Sequence, residues 1–334
     1  MLFPVRPLLF APVLAFLCFA PLLILAQTSI DDVHITPRDH PLSPGALEAV
    51  TASPGGLLRA KVDLVLVPVS ITDDNAQPVL GLERENFQLY ENKKPQQIRD
   101  FSSEDAPISV GIIVDSSGSM QNKLDWAREA VRQFCETANP ADEFFLVTFS
   151  DQPQIATDFT TNTDEIENAM LTLRSTGRTA LLDAIQMGVR KLKDARYARK
   201  ALLILSDGGD NHSRFTEHQV KSLIKESDVA VYSVGIFDHY VSTEEELLGP
   251  ELLREVSDMT GGTAFTLSRL NQMPVLTRVI GIQLRHQYML AYRPQSTPSD
   301  RKWRKISVKL RVPKSLHVGF LHIGARQGYY GRGE

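Results

Sequence analysis

Between Pro107 and Arg285 the chain alternates short, wholly apolar runs with amphipathic ones. That alternation restricts the fold more than any other feature of the sequence. Ser109–Val114, Phe144–Phe149, Ala201–Leu205 and Val229–Val234 carry apolar residues at successive positions, as strands covered on both faces do. Leu124–Ala138, Thr163–Leu173, Ala180–Leu192, Glu217–Glu226 and Glu251–Met259 read as helices, and in the first Leu124, Ala127, Val131 and Phe134 recur on one face. The pattern predicts an α/β domain: a doubly wound, mostly parallel sheet with helices on both sides. Sheets of this kind bind ligands at the carboxyl ends of their strands.

The flanking segments have a different period. Val62–Ile71 is dense in β-formers and runs into a turn at Asp73-Asp74-Asn75. Phe87–Tyr90 and Gln97–Phe101 read as two short strands around a hairpin signal, Glu91-Asn92-Lys93-Lys94. Beyond the α/β region, Tyr288–Tyr292, Val318–Ile323 and Gly328–Tyr330 read as strands. Between the first two of these, Ile306, Val308, Leu310 and Val312 alternate with Lys305, Ser307, Lys309 and Arg311, the pattern of a half-buried strand with a basic outer face. Neither flank is large enough to fold well alone. They are therefore expected to pair into one small β-sandwich with the α/β domain inserted between its halves. The expected organisation is a signal peptide (1–26), a linker rich in Pro, Ser, Gly and Asp (27–60), the first half of the sandwich (61–106), the α/β domain (107–285) and the second half of the sandwich (286–334).

At the amino terminus, Arg6 precedes an apolar run from Leu8 to Ala26, and Ile24-Leu25-Ala26 before Gln27 suits a signal peptidase. A secreted or periplasmic protein is expected. The run is also long enough for an uncleaved anchor, although Pro12 and Pro21 weaken a continuous helix. Membrane attachment is expected only in that second case. Cys18 and Cys135 are the only cysteines, so cleavage removes any prospect of an internal disulfide. Cys135 ends a helical apolar stripe and reads as core.

The candidate chemistry begins where the first buried strand ends, at Asp115-Ser116-Ser117-Gly118-Ser119. A carboxylate and two hydroxyls at alternate positions aim hard oxygen donors at one place, which suits Mg²⁺, Mn²⁺ or Ca²⁺. Asp207 follows another predicted strand, in Leu203-Ile204-Leu205-Ser206-Asp207-Gly208-Gly209. Thr179 lies in a loop, Thr176-Gly177-Arg178-Thr179, that opens a helix. In a doubly wound sheet these three loops share one edge.

The set Asp115, Ser117, Ser119, Thr179 and Asp207 resembles the metal-ion-dependent adhesion site of von Willebrand factor A domains, in the family's order. The resemblance covers about Pro107 to Leu284. The whole chain further resembles secreted bacterial proteins with a VWFA-related domain, of the kind found in acidobacteria. Gly81-Leu82, Leu89-Tyr90-Glu91, Trp303-Arg304-Lys305-Ile306 and Arg326-Gln327-Gly328-Tyr329-Tyr330 carry that wider likeness. The resemblance implies a bound Mg²⁺ (or Mn²⁺ or Ca²⁺). Ser117 and Ser119 would bind it directly, and Asp115, Thr179 and Asp207 directly or through water. It also implies a protein partner whose Asp or Glu takes the remaining position. The expected function is divalent-cation-dependent protein binding or adhesion. The alternative is a metal-stabilised scaffold in a cell-envelope assembly.

Enzyme chemistry is not expected. A serine hydrolase would need a nucleophile elbow, and Ser117 has Ser116 and Gly118 beside it instead. His212, five residues past Asp207, reads as a solvated loop residue. His317 and His322 are an odd number apart on a predicted strand and would face opposite sides. Asp210 and Asn211 read either as supports of the site or as turn residues. Net charge is only −4, yet Arg285–Glu334 holds eleven Lys and Arg against two Asp and Glu. Arg301-Lys302-Trp303-Arg304-Lys305 within it could meet a polyanion. A solvated face, or one docked on the acidic α/β domain, is the preferred reading. No nucleic-acid partner is expected.

Overall fold

The computed structural model describes residues 64–207, 209–236, 244–267, 269–294, 302–312 and 319–331. The expected signal segment and linker lie outside them, as do Arg301 and His317.

The alternating region forms a six-stranded sheet. Its strands are β5 (Ser109–Asp115), β6 (Glu143–Phe149), β7 (Pro153–Thr160), β8 (Lys200–Ser206), β9 (Val229–Ile236) and β10 (Ala264–Leu267), in the order β10-β9-β8-β5-β6-β7. All neighbours are parallel except β7, which runs antiparallel to β6 at the edge. The strand side chains sort by parity. Val110, Ile112 and Val114 pack with α1 (Leu124–Cys135), α2 (Thr163–Thr172) and α6 (Met273–Arg285). Ile113 packs on the other face with α3 (Leu181–Lys191), α4 (Glu217–Glu226) and α5 (Glu244–Thr260). Cys135 is buried in the first of these cores, and burial, then Glu167, push its thiol up to about 12.

The two flanks join as expected. β1 (Val65–Thr72), β4 (Ile98–Ser102), β11 (Tyr288–Tyr292) and β13 (His322–Ala325) make one antiparallel sheet, in the order β13-β1-β11-β4. β2 (Phe87–Glu91), β3 (Lys94–Gln96), β12 (Trp303–Leu310) and β14 (Gly328–Tyr330) make the other, in the order β14-β12-β2-β3. A single core lies between them, holding Val67, Val69, Leu89, Tyr288, Leu290 and Ile306. Each sheet draws strands from both ends of the chain. A buried polar hub also ties the ends together: Tyr292 and Tyr329 donate to Glu91 Oε2 at 2.6 and 2.9 Å, and Arg304 Nη1 donates to Glu91 Oε1 at 3.4 Å. Arg304 therefore turns inward from the basic run, while Lys305, Ser307 and Lys309 face solvent.

The hairpin differs from expectation in its partner. Asn92 and Lys93, at φ 48° and 68°, return the chain into β3, and β3 is the strand that pairs with β2. Gln97 then carries it across to the other sheet, where β4 pairs with β11. The strand expected at Val318–Ile323 lies further on, as β13.

Two short connections, β4 to β5 and α6 to β11, join the sandwich to the α/β domain. Arg285 Nη1 lies 2.7 Å from Asp142 Oδ2 and 3.2 Å from Asp105 Oδ1. Arg199 donates to the Ala106 carbonyl on the first connection and to the Leu284 carbonyl in the last turn of α6, just before the second. Gly261, at φ +82°, lets the end of α5 approach Ala325, where any Cβ would come within 2.4 Å of the Ala325 carbonyl carbon. A cavity of about 760 Å³ opens at this junction, lined by Leu66, Pro68, Leu192, Met259 and Met289. It lies at the amino ends of the strands, away from Asp115.

Candidate functional site

Strand β5 is flanked by β8 on one side and β6 on the other, so the chain order reverses around it. A crevice at the carboxyl end of such a strand is the natural binding place in this class of sheet. Asp115 is the last residue of β5, and Asp207 immediately follows β8. Because Val114 pairs with Leu205, the two carboxylates emerge side by side. Asp115 is fully buried and Asp207 is 7 % exposed.

The loop after β5 is built on Asp115. Its Oδ1 accepts from the Ser117 amide at 2.8 Å, and its Oδ2 accepts from the Ser206 hydroxyl at 2.7 Å. The Ser117 and Ser119 hydroxyls stand 3.0 Å apart, Ser117 buried and Ser119 exposed. Ser116 faces the neighbouring strand instead, with its amide and hydroxyl both donating to the Phe149 carbonyl. Gly118 does not need a left-handed backbone, and a Cβ there would meet the Gly177 carbonyl at an ordinary 3.4 Å. The demand falls on Gly177, at φ +81°, where a Cβ would sit 2.6 Å from the Asp151 carboxylate.

The loop carrying Thr179 is stitched to the first. The Gly118 amide donates to the Gly177 carbonyl, the Thr176 amide to the Ser116 carbonyl, and the Ser175 hydroxyl to the Ser117 carbonyl. Asp151 accepts from the Arg178 amide at 2.9 Å. On the other side, Asn211 accepts from the Thr179 amide at 3.0 Å, and the Thr179 carbonyl accepts from the Asn211 and His212 amides. Thr179 is thus buried and fixed between the Ser117 loop and the Asp207 loop. Asp183 accepts from the Arg214 and Phe215 amides at 2.9 and 3.0 Å, anchoring the Asp207 loop to α3. Asp210 accepts from Ser213 and from the Leu182 amide, so it supports the loop and does not point at the metal candidates. His212 is exposed, with Nδ1 3.4 Å from Arg178.

The electrostatics are those of a strained anion pair. Burial, then the neighbouring Asp207 carboxylate, push the Asp115 carboxyl well above the usual carboxylate range, against the bonds it receives from Ser117 and Ser206. Asp207 has a counter-ion that the sequence reading did not include: Lys123 Nζ lies 3.1 Å from its Oδ2. Lys123 occupies the N-cap position of α1. A cation there opposes the helix dipole by about 0.3–1 kcal/mol. Ser206 and Asp151 were likewise missed, and no local signal in the sequence marks them or Lys123, whereas Asn211, read as either a support of the site or a turn residue, is a support.

The donor set is two carboxylates and three hydroxyls, all hard oxygens. Among the described residues there is no group of three or more His, Cys, Asp or Glu able to hold a metal. That excludes a thiolate- or imidazole-rich centre among them and fits a hard dication, which takes hydroxyl, carboxylate and water oxygens.

Residues 110–209, from β5 through the Asp207 loop, match the family model described as von Willebrand factor type A domain. The chain is 24% identical over 187 residues to an uncharacterized protein of Borreliella burgdorferi, covering 49% of this chain and 54% of that protein. It spans about half the length of the first curated relatives it matches. Among solved structures it is similar to a von Willebrand factor type A protein from Catenulispora acidiphila, with 14% identity, TM-score 0.48, and coverage of 80% of this chain and 75% of that one. It is also similar to proximal thread matrix protein 1 from the mussel byssus with a zinc-occupied MIDAS motif, with 16% identity, TM-score 0.46, and coverage of 58% and 49%. The matched residues are those that build the sheet edge around Asp115, and the chain carries a von Willebrand factor type A domain.

Proposed function

We propose that Asp115, Ser117, Ser119, Thr179 and Asp207 hold a divalent cation, and that the protein is a cation-dependent protein-binding module. The observation that carries this reading is the pairing of two buried carboxylates on adjacent strands beside two hydroxyls 3.0 Å apart. Such a pair repels itself, and the one ammonium beside it, Lys123 at 3.1 Å from Asp207, offsets only one of the two charges. Ser117 and Ser119 would offer hydroxyl oxygens, and Asp115 and Asp207 the charge that neutralises the ion. Exposed Ser119 marks the open side, where an Asp or Glu of a partner protein would approach. The metal supplies a positive centre for that carboxylate, and the chain's own residues supply a rigid, prearranged rim. Among the described residues no nucleophile stands with a general base in the arrangement hydrolysis needs, so binding and not catalysis is the function proposed. With an amino-terminal segment of the export type, the setting is the periplasm or the cell exterior.

Ser119→Ala tests this cleanly, because among the described residues the exposed Ser119 hydroxyl bonds to Ser117 alone, so its loss should leave the fold intact. Wild-type protein should gain thermal stability with millimolar Mg²⁺ or Mn²⁺, by about 2.7 kcal/mol when the ion stands at a hundred times its dissociation constant. Ser119→Ala should melt like wild type without the ion and lose most of that gain. A flat wild-type response to both ions overturns the metal reading. Partner capture from envelope extracts that persists in EDTA and in Asp115→Ala overturns the binding reading.

A further inference from the structure

We propose that Lys123 is a built-in counter-ion, which neutralises the carboxylate pair when no metal is bound and must swing aside before Asp207 can hold a divalent ion. The inference rests on the metal reading above.

Four observations carry it. Lys123 Nζ sits 3.1 Å from Asp207 Oδ2, with side-chain exposures of only 15% and 8%. Among the described residues it is the only ion-pair partner of either carboxylate. The nearby Arg128 is committed elsewhere, to the Met170 and Leu173 carbonyls and to Asp125. Finally, Lys123 is already helical, at φ −113° and ψ −17°, and its side chain takes no part in capping α1, so the ammonium is directed at Asp207 alone.

The mechanical means are present too. The Lys123 amide donates to the Met120 carbonyl at 2.8 Å, and the Lys123 carbonyl accepts from the Ala127 amide at 3.0 Å. The backbone is therefore fixed, while a flexible four-carbon stem carries the charge. An ammonium and a dication on the same carboxylate repel each other strongly in a half-buried site. Binding the ion must therefore include displacing the ammonium. This lowers the affinity of the site and lets the empty domain keep its fold without metal.

The test uses the full chain, with Lys123→Met to remove the charge and keep the stem, Lys123→Gln as a second neutral variant, and Lys123→Arg to restore a charge. Mn²⁺ is titrated into each by calorimetry, and thermal unfolding is followed in EDTA and in Mn²⁺. The neutral variants should melt lower than wild type in EDTA and bind Mn²⁺ about tenfold more tightly or better. Lys123→Arg should return both properties towards wild type. If neutral variants bind Mn²⁺ as wild type does, or more weakly, Lys123 is not a competitor and the proposal falls, while the metal reading stands. If neither wild type nor any variant responds to Mn²⁺, the metal reading fails and takes this proposal with it.

Discussion

At Glu91 one side chain holds the two ends of the chain together. It is 6 % exposed and accepts from Tyr292, Tyr329 and Arg304, which lie on three strands of the carboxyl-terminal flank. Removing one partner of a buried ion pair costs about 3–5 kcal/mol, because the other charge is left without compensation. Glu91→Ala should therefore destabilise the protein by that order in urea unfolding. Glu91→Gln, which keeps acceptor capacity for the tyrosines, should cost less. The ligand candidates in the same chain were legible for a simple reason. Asp115, Ser117 and Ser119 sit within five residues of one another, and Asp207 ends an unmistakable strand. Thr179 was placed by its loop at the start of a helix, on the sheet edge shared with Asp115 and Asp207, and the family resemblance added its role as a ligand. Lys123 and Asp151 act across loops that touch only in the folded chain, so spacing along the sequence could not reveal them.

Among the elements, buried strands and amphipathic helices were readable to within a few residues, and the exceptions have physical causes. β7 is an edge strand whose middle is mostly exposed, so it lacks the apolar run that marks β5, β6, β8 and β9. α6 contains Val275, Val279, Ile280 and Ile282 around Gly281, a composition of low helix propensity. It is held instead by close packing on α1, with Thr277 donating to the Ala130 carbonyl at 3.0 Å. α5 runs through Pro250, which from sequence reads as a helix boundary. The loop elements of the site are equally demanding of conformation. Gly177→Ala places a Cβ against Asp151 at a left-handed φ, which costs about 1–2 kcal/mol for the backbone alone. The variant should lower the melting temperature by a few degrees. It should also weaken Mn²⁺ binding more than it weakens the fold, since Gly177 positions both Gly118 and Thr179. Calorimetric titration beside thermal unfolding separates the two effects.

For the whole molecule, the sandwich exists only as a joint product of both flanks. β11 lies between β1 and β4, and β12 lies between β14 and β2. Deleting 287–334 removes an interior strand from each sheet. Limited proteolysis should then cut within 65–102, a stretch that the pairing should protect in the full chain, while the α/β core from β5 to α6 should keep its resistance. Protection of 65–102 that survives the deletion would contradict the paired architecture. The connections leave the sandwich from β4 and β11, neighbouring antiparallel strands, and reach the α/β domain at the amino end of β5 and the carboxyl end of α6. The Asp115 edge is at the far end of β5. A tug between something gripped at that edge and the amino-terminal side of the chain therefore runs lengthwise along β5. There it loads the whole ladder to β6 and β8 at once, in shear, and does not peel it open one rung at a time. In the proposed binding role, that geometry favours staying folded under tension.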